Sequence, residues 1–241
     1  MPFRPPIHRL LGALAVLAAT AAGAAEPALT PAQKEALQAR LEAAVVDHDQ
    51  GRLQQAREAF EGLARAGLPA ADYNLAVMHL KRELPGASNG EALRLMQRAA
   101  EHGFVTATYG VARLYETGDA GRRDLGEASR WYLRAAEQGS VQGQVEIATA
   151  YYLGRGAAQD MPAAAHWYRE AAKGGDVGAQ YILASMYESG VGVAHDLRLA
   201  RYWYAAAAAS GDEVAPAKLR EIDARLQGAT PATPPQVTTP P

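Results

Sequence analysis

The side chains able to do chemistry are few and scattered. The histidines are His8, His48, His79, His102, His166 and His195, and no His-Glu-x-x-His run sets two of them at a metal-binding interval. Ser140 is followed by Val-Gln-Gly and Ser185 by Met-Tyr-Glu. Neither serine has the lysine three residues on that a penicillin-recognising enzyme uses, and a Gly-x-Ser-x-Gly elbow is missing too. Gly154-Arg155-Gly156 lacks the third glycine and the preceding strand of a phosphate cradle. Asp124, Asp160 and Asp196 recur at one fixed interval, which suits helix capping better than proton transfer. No catalytic residue, cofactor site or metal site is expected, and the chain is not expected to be an enzyme.

The elements around these residues repeat. Gly67, Gly103, Gly139, Gly175 and Gly211 are spaced by 36, as are Trp131, Trp167 and Trp203, and Ala56, Ala92, Ala128, Ala164 and Ala200. Leu75, Val111, Ile147 and Leu183 form an apolar column, and Gly118, Gly154 and Gly190 a second glycine column. A fixed period of this size denotes units that bury their apolar faces against one another. In the unit that starts near Asp124, Asp124 caps a helix, with Glu127 as the reciprocal partner of a capping box. Asp160, Asp196 and Ser88 take the same position, Ser88 with Glu91. Ala128, Tyr132 and Ala135 then share one face, with Trp131 and Ala136 at its edges, which is helical spacing. Gly139 ends that helix, and a second helix runs from about Val141 to Leu153. His79 stands where Tyr115, Tyr151 and Tyr187 stand elsewhere and reads as a packing substitute.

Tyr115-x-x-Gly118 followed by Trp131-Tyr132-x-x-Ala135-Ala136-x-x-Gly139 resembles the Sel1-like repeat, a relative of the tetratricopeptide repeat. Trp167-Tyr168-x-x-Ala171-Ala172-x-x-Gly175 and Trp203-Tyr204-x-x-Ala207-Ala208-x-x-Gly211 repeat the motif in register. The early units depart from it. Ala59-Phe60 and Leu95-Met96 replace the Trp-Tyr pair and Arg82 takes the place of a loop glycine; later, Val145 stands where Tyr73, Tyr109 and Tyr181 sit in other units. The resemblance implies an all-α fold, a right-handed α-solenoid of antiparallel helix pairs, used as an adaptor between proteins. The resemblance extends to exported bacterial members, some of which organise polysaccharide export or cell-wall machinery, and host-directed roles also occur. Cysteine-rich relatives have been proposed to bind or hydrolyse β-lactams, which supplies an alternative reading; this chain has no cysteine. A structural envelope factor without a defined ligand is a third.

A binding surface should lie where the units differ. On the first helix of each unit, opposite the core alanine and tyrosine, one column reads Glu58, Arg94, Arg130, His166, Tyr202. Four residues on, another reads Gly62, Arg98, Arg134, Glu170, Ala206. In related arrays the first helices commonly line the concave groove. Arg94, Arg98, Arg130, Arg134, His166, Glu170 and Tyr202 are therefore the candidate contacts for a protein or peptide partner on the concave face. The arginines suit a carboxylate, which the guanidinium grips in a forked geometry.

Composition and the chain ends complete the expectation. With 24 basic and 26 acidic residues the net charge is −2, which offers no field for nucleic acid. Arg4, His8 and Arg9, then an apolar run from Leu10 to Ala22, then small residues up to Ala25, read as a cleaved export signal over residues 1–25. The run is too short to span a membrane, so a periplasmic or secreted monomer without a membrane span is expected. An N-terminal capping helix within 26–50 opens at Thr30-Pro31-Ala32-Gln33. The repeat array covers 51–227, and its last helix, from Pro216 to Gln227, is a cap with Leu219, Ile222 and Leu226 inward. Residues 228–241 form an uncharged Pro/Thr-rich tail, expected to be disordered.

Overall fold

A computed structural model describes residues 30–119 and 121–228; the expected export signal and most of the Pro/Thr-rich tail lie outside them. The described residues form eleven α-helices and no strand: α1 (Pro31–Asp49), α2 (Leu53–Arg65), α3 (Pro69–Leu80), α4 (Asn89–Glu101), α5 (Val105–Thr117), α6 (Leu125–Glu137), α7 (Val141–Leu153), α8 (Met161–Lys173), α9 (Val177–Ser189), α10 (Leu197–Ala209) and α11 (Ala215–Gly228). None of them is long and apolar enough to cross a membrane. The helices fall into two compact units, one through Ser140 and one from Val141 onward.

In the first unit, α1 starts at the Thr30 cap, whose hydroxyl accepts the Gln33 N–H while the Gln33 side chain accepts the Thr30 N–H. Ala44 of α1 is buried with Ala56, Phe60 and Leu63 of α2. The tightest pairs are α3 with α4 and α5 with α6. In the second unit they are α7 with α8 and α9 with α10, and α11 packs on α10. The hairpin is thus the pair joined across the longer loop, such as 118–124, and the expected unit beginning near Asp124 is offset from it by one helix.

Side-chain chemistry explains this pairing. Each helix from α4 on that opens with Ser88, Asp124, Asp160 or Asp196 is capped by that side chain. The glutamates expected to close reciprocal boxes do something else: Glu91 bonds Arg94, and Glu127 bonds Arg130. The cap residue also ties the loop to the preceding helix, because the N–H groups of Asp124, Asp160 and Asp196 donate to the carbonyls of Tyr115, Tyr151 and Tyr187 at 2.9–3.0 Å. In the earliest hairpin the Ser88 N–H donates to His79 Nδ1 instead, at 3.3 Å. His79 is therefore an acceptor within the loop lock as well as a packing substitute. Burial, aided by Arg82 and Arg94 and opposed by Glu91, lowers its pKa and favours the neutral acceptor form.

The same loop shows why glycine recurs there. Gly118, Gly154 and Gly190 have positive φ, and Arg82, at the equivalent position, is held at φ 59°. Its guanidinium donates to the Ala87 carbonyl and to Asn89 Oδ1, both at 2.8 Å, offsetting a backbone cost of about 1–2 kcal/mol. Gly192 is constrained twice. Its φ is 71°, and a Cβ there would sit 2.3 Å from the Met161 carbonyl oxygen.

Between helices the alanine column does the close packing: Ala92, Ala128, Ala164 and Ala200 are fully or almost fully buried. Beside them lie Met96, Tyr132, Tyr168 and Tyr204, also buried, whereas Trp131, Trp167 and Trp203 are only partly so. The tyrosine of the Trp-Tyr pair is the core residue, and the indole covers the core edge. A buried hydroxyl needs a partner. Tyr132 donates to Glu116 and Tyr204 to Glu188, each at 2.8 Å, and the Tyr168 hydroxyl meets Thr149 at 3.0 Å. Every partner lies on the preceding helix of the same hairpin. Glu188 also receives Arg225 at 2.9 Å and Lys218 at 3.4 Å, so two basic residues of α11 fasten that helix to α9. Burial alone would raise the Glu188 carboxyl, but Tyr204, Lys218 and Arg225 outweigh it and the net pKa is lowered.

Three outcomes test this account. In denaturant unfolding, Tyr132→Ala should cost about 3–5 kcal/mol and Trp131→Ala clearly less, because only the former empties a closed site. Arg82→Ala should destabilise by about 1 kcal/mol, since it keeps the left-handed strain and loses the two braces, whereas Arg82→Gly should stay within about 0.5 kcal/mol of the native chain. Glu188→Gln should speed amide exchange in α11 at neutral pH. Because the folded pKa is the lower one, the charge contributes above about pH 4.3 and is lost as pH falls through the folded value, so the difference from the native chain should vanish in acid.

Candidate functional site

The helices α4, α6, α8 and α10 present equivalent outward positions, because each is fixed by a side-chain cap at its start and by its buried face of alanines and one larger side chain, Met96 in α4 and a tyrosine in the others. Arg94, Arg130, His166 and Tyr202 all lie exposed at one such position. Their surroundings differ. Arg94 is gripped by both carboxylate oxygens of Glu91, at 2.6 and 2.9 Å, and Arg130 by Glu127. One turn earlier than His166 and Tyr202, however, stand Ala163 and Leu199 in place of the glutamates. His166 and Tyr202 instead lie edge-on to Trp167 and Trp203, with ring centres 4.9 and 5.0 Å apart. The outward position thus changes from ion pair to aromatic edge between the first unit and the second.

The companion column is half-buried and more committed. Arg98 forms a two-pronged pair with Asp72, its Nε donating to Oδ2 at 2.8 Å and its Nη2 to Oδ1. Asp72 is only 4% exposed, so this arginine neutralises a buried carboxylate and couples α4 to α3. Arg134 lies over the Trp131 ring, 5.1 Å from its centre. Glu170 bonds Lys173 at 2.8 Å, and chiefly that bond lowers its pKa. The structure therefore keeps Arg94, Arg130, His166 and Tyr202 as solvent-facing groups, while Arg98 has a structural task. The sequence reading passed over Asp72, whose acidic side chain at a column otherwise filled by Thr108, Gln144 and Gln180 was the available signal. It also passed over Leu199, an exposed leucine where Glu91 and Glu127 stand.

No group of three His, Cys, Asp or Glu side chains among the described residues is arranged to hold a metal ion.

Comparison with known proteins fixes the register. The model of the Sel1 repeat matches residues 69–104, 105–140, 141–176 and 177–212. These blocks begin at α3, α5, α7 and α9, so the candidate columns lie on the second helix of each repeat and not on the first, as the sequence had suggested. The physical reason is the one already given: the hydroxyl and loop bonds join each second helix to the helix before it.

The chain is similar to a Sel1 repeat protein from Oxalobacter formigenes, with 34% identity over 70% of this chain and a TM-score of 0.63. It is also similar to c5321, a protective antigen of uropathogenic Escherichia coli displaying an SLR fold, with 30% identity over 79% of this chain and a TM-score of 0.68. It spans less than half of either structure, 49% and 42% respectively. No curated protein matches the chain. With four contiguous repeat matches laid on four helical hairpins, and these solved structures sharing the fold, the chain belongs to the Sel1 repeat family, whose repeats build α-solenoids.

Proposed function

We propose that this protein is an exported, non-catalytic scaffold of the bacterial cell envelope, periplasmic or secreted, that holds a protein or peptide partner as a monomer. Sel1 repeats serve protein–protein interaction, and specificity in such a fold resides in the surface that the repeats do not share. The observation that carries the reading is the contrast at equivalent positions of the second helices. Ala92, Ala128, Ala164 and Ala200 repeat without change in the core, while Arg94 and Arg130 face solvent in ion pairs and His166 and Tyr202 against an indole edge. Tyr202, with Leu199 exposed one turn before it, is the most exposed large apolar side chain among the described residues.

Export is supported by the basic start at Arg4 and Arg9, the apolar run from Leu10 to Ala22 and the small residues after it. The absence of cysteine leaves stability in an oxidising compartment to packing and hydrogen bonds, of which the tyrosine anchors are the recurrent form.

Capture from intact cells by in situ crosslinking, followed by mass spectrometry of the purified protein, tests both parts. The mature chain should begin at Ala25 or Glu26, and a reproducible protein partner should be attached. Arg94→Glu combined with Arg130→Glu should reduce that capture several-fold while changing stability by less than about 1 kcal/mol, since each replaced pair is exposed. Arg98→Gln is the contrasting variant. It should lower stability by about 2 kcal/mol by stranding Asp72. An unprocessed N-terminus would remove the envelope assignment; undiminished capture by the double variant would remove these faces from the interface.

A further inference from the structure

On the outer face of α10, the structure assigns a docking site for an acidic segment of a partner protein that also carries an apolar side chain; the assignment rests on the scaffold reading and specifies its ligand. Arg198, Leu199 and Tyr202 are all exposed, Leu199 at 40% and Tyr202 at 61%. Spacings of three and four residues set Tyr202 beside both of the others on the helix surface, about 5–6 Å away. Tyr202 is steadied by its edge-on contact with Trp203, and the Arg198 and Leu199 N–H groups are held by Asp196 Oδ1 at 2.8 and 3.0 Å. The patch is therefore mounted on a fixed helical turn. An aliphatic and an aromatic side chain exposed together form an apolar surface that water solvates poorly and that a partner can cover.

Charge selects the partner. Most other cations on the outward faces of these helices are neutralised from within, Arg94 by Glu91, Arg130 by Glu127, Lys173 by Glu170 and Arg201 by Asp223, and Arg134 is spent on the Trp131 ring. Arg198 has no ion-pair partner among the described residues, and its neighbour across the cap is the exposed His195. Asp196, two residues away, is already engaged by the helix cap, and Asp223, which reaches α10 from α11, by Arg201. An uncommitted guanidinium beside an apolar pair is complementary to a carboxylate set about one helical turn, or two extended residues, from a leucine-like or aromatic side chain. The positions equivalent to Leu199 and Tyr202 in the first unit, Glu91–Arg94 and Glu127–Arg130, close on themselves as ion pairs and lack this complementarity.

The test is selection of a random displayed peptide library on the full-length protein, in parallel with an Arg198→Gln, Leu199→Ala, Tyr202→Ala triple variant and with the Arg94→Glu, Arg130→Glu double variant. Sequences pairing a carboxylate with an apolar residue should be enriched on the native chain. Their synthetic forms should bind the triple variant at least about tenfold more weakly and lose affinity with added salt, while the triple variant keeps the native thermal transition. Enrichment of basic or uncharged sequences overturns the proposal, as does a failure to enrich any, or equal binding by the triple variant. Peptides lost only on the Arg94/Arg130 variant would overturn it while leaving the scaffold reading in place. Sedimentation with phosphatidylglycerol vesicles, abolished in the triple variant, would assign the patch to a membrane surface instead.

Discussion

The buried phenol in each of the last three hairpins governs how their helices pair. Tyr132, Tyr168 and Tyr204 bring a large ring into the alanine-lined space between helices, and each carries a hydroxyl that must be bonded once water is excluded. Glu116, Thr149 and Glu188 meet that need from the preceding helix. Volume and polarity are thus satisfied by one side chain, and only one pairing of helices satisfies both. The loop bonds from the cap N–H groups to Tyr115, Tyr151 and Tyr187 reinforce the same pairing from the backbone.

This anchoring leaves the outer faces of the second helices with no structural duty in most positions. Arg98 is the exception, because Asp72 lies where the other repeats have uncharged residues and a buried carboxylate demands a counter-ion. Elsewhere the outward residues are exposed and differ between repeats. In the first unit they settle into glutamate–arginine pairs along one helix, each worth only a few tenths of a kcal/mol. In the second unit Leu199 and Tyr202 leave that compromise and expose apolar surface next to an uncommitted Arg198. Family membership defines the frame; such local departures give the individual protein its selectivity.

The degenerate first hairpin shows how a fold survives loss of its motif. Arg82 adopts the left-handed backbone that glycine otherwise supplies and braces it with two side-chain bonds. His79 replaces a tyrosine and accepts the Ser88 N–H with its ring in place of the backbone carbonyl used elsewhere. The geometry of the loop is kept while the bonds that hold it change.

Helix positions, caps and period were legible in the sequence because they depend on local rules: Asp124, Asp160 and Asp196 before a helix, and glycine where φ turns positive after one. The α7 span from Val141 to Leu153 and the inward Ile222 of the last helix follow from spacing alone. Which helix belongs with which could not be read that way, since a strict period is the same wherever the repeat is cut. Whether an arginine is free or spoken for was equally hidden, because Arg98 and Arg94 look alike in sequence and are separated by the depth of the carboxylate that each one meets. Neighbours along the chain decide local conformation; burial, and hence the cost of an unpaired charge or hydroxyl, is decided only when distant segments close over it.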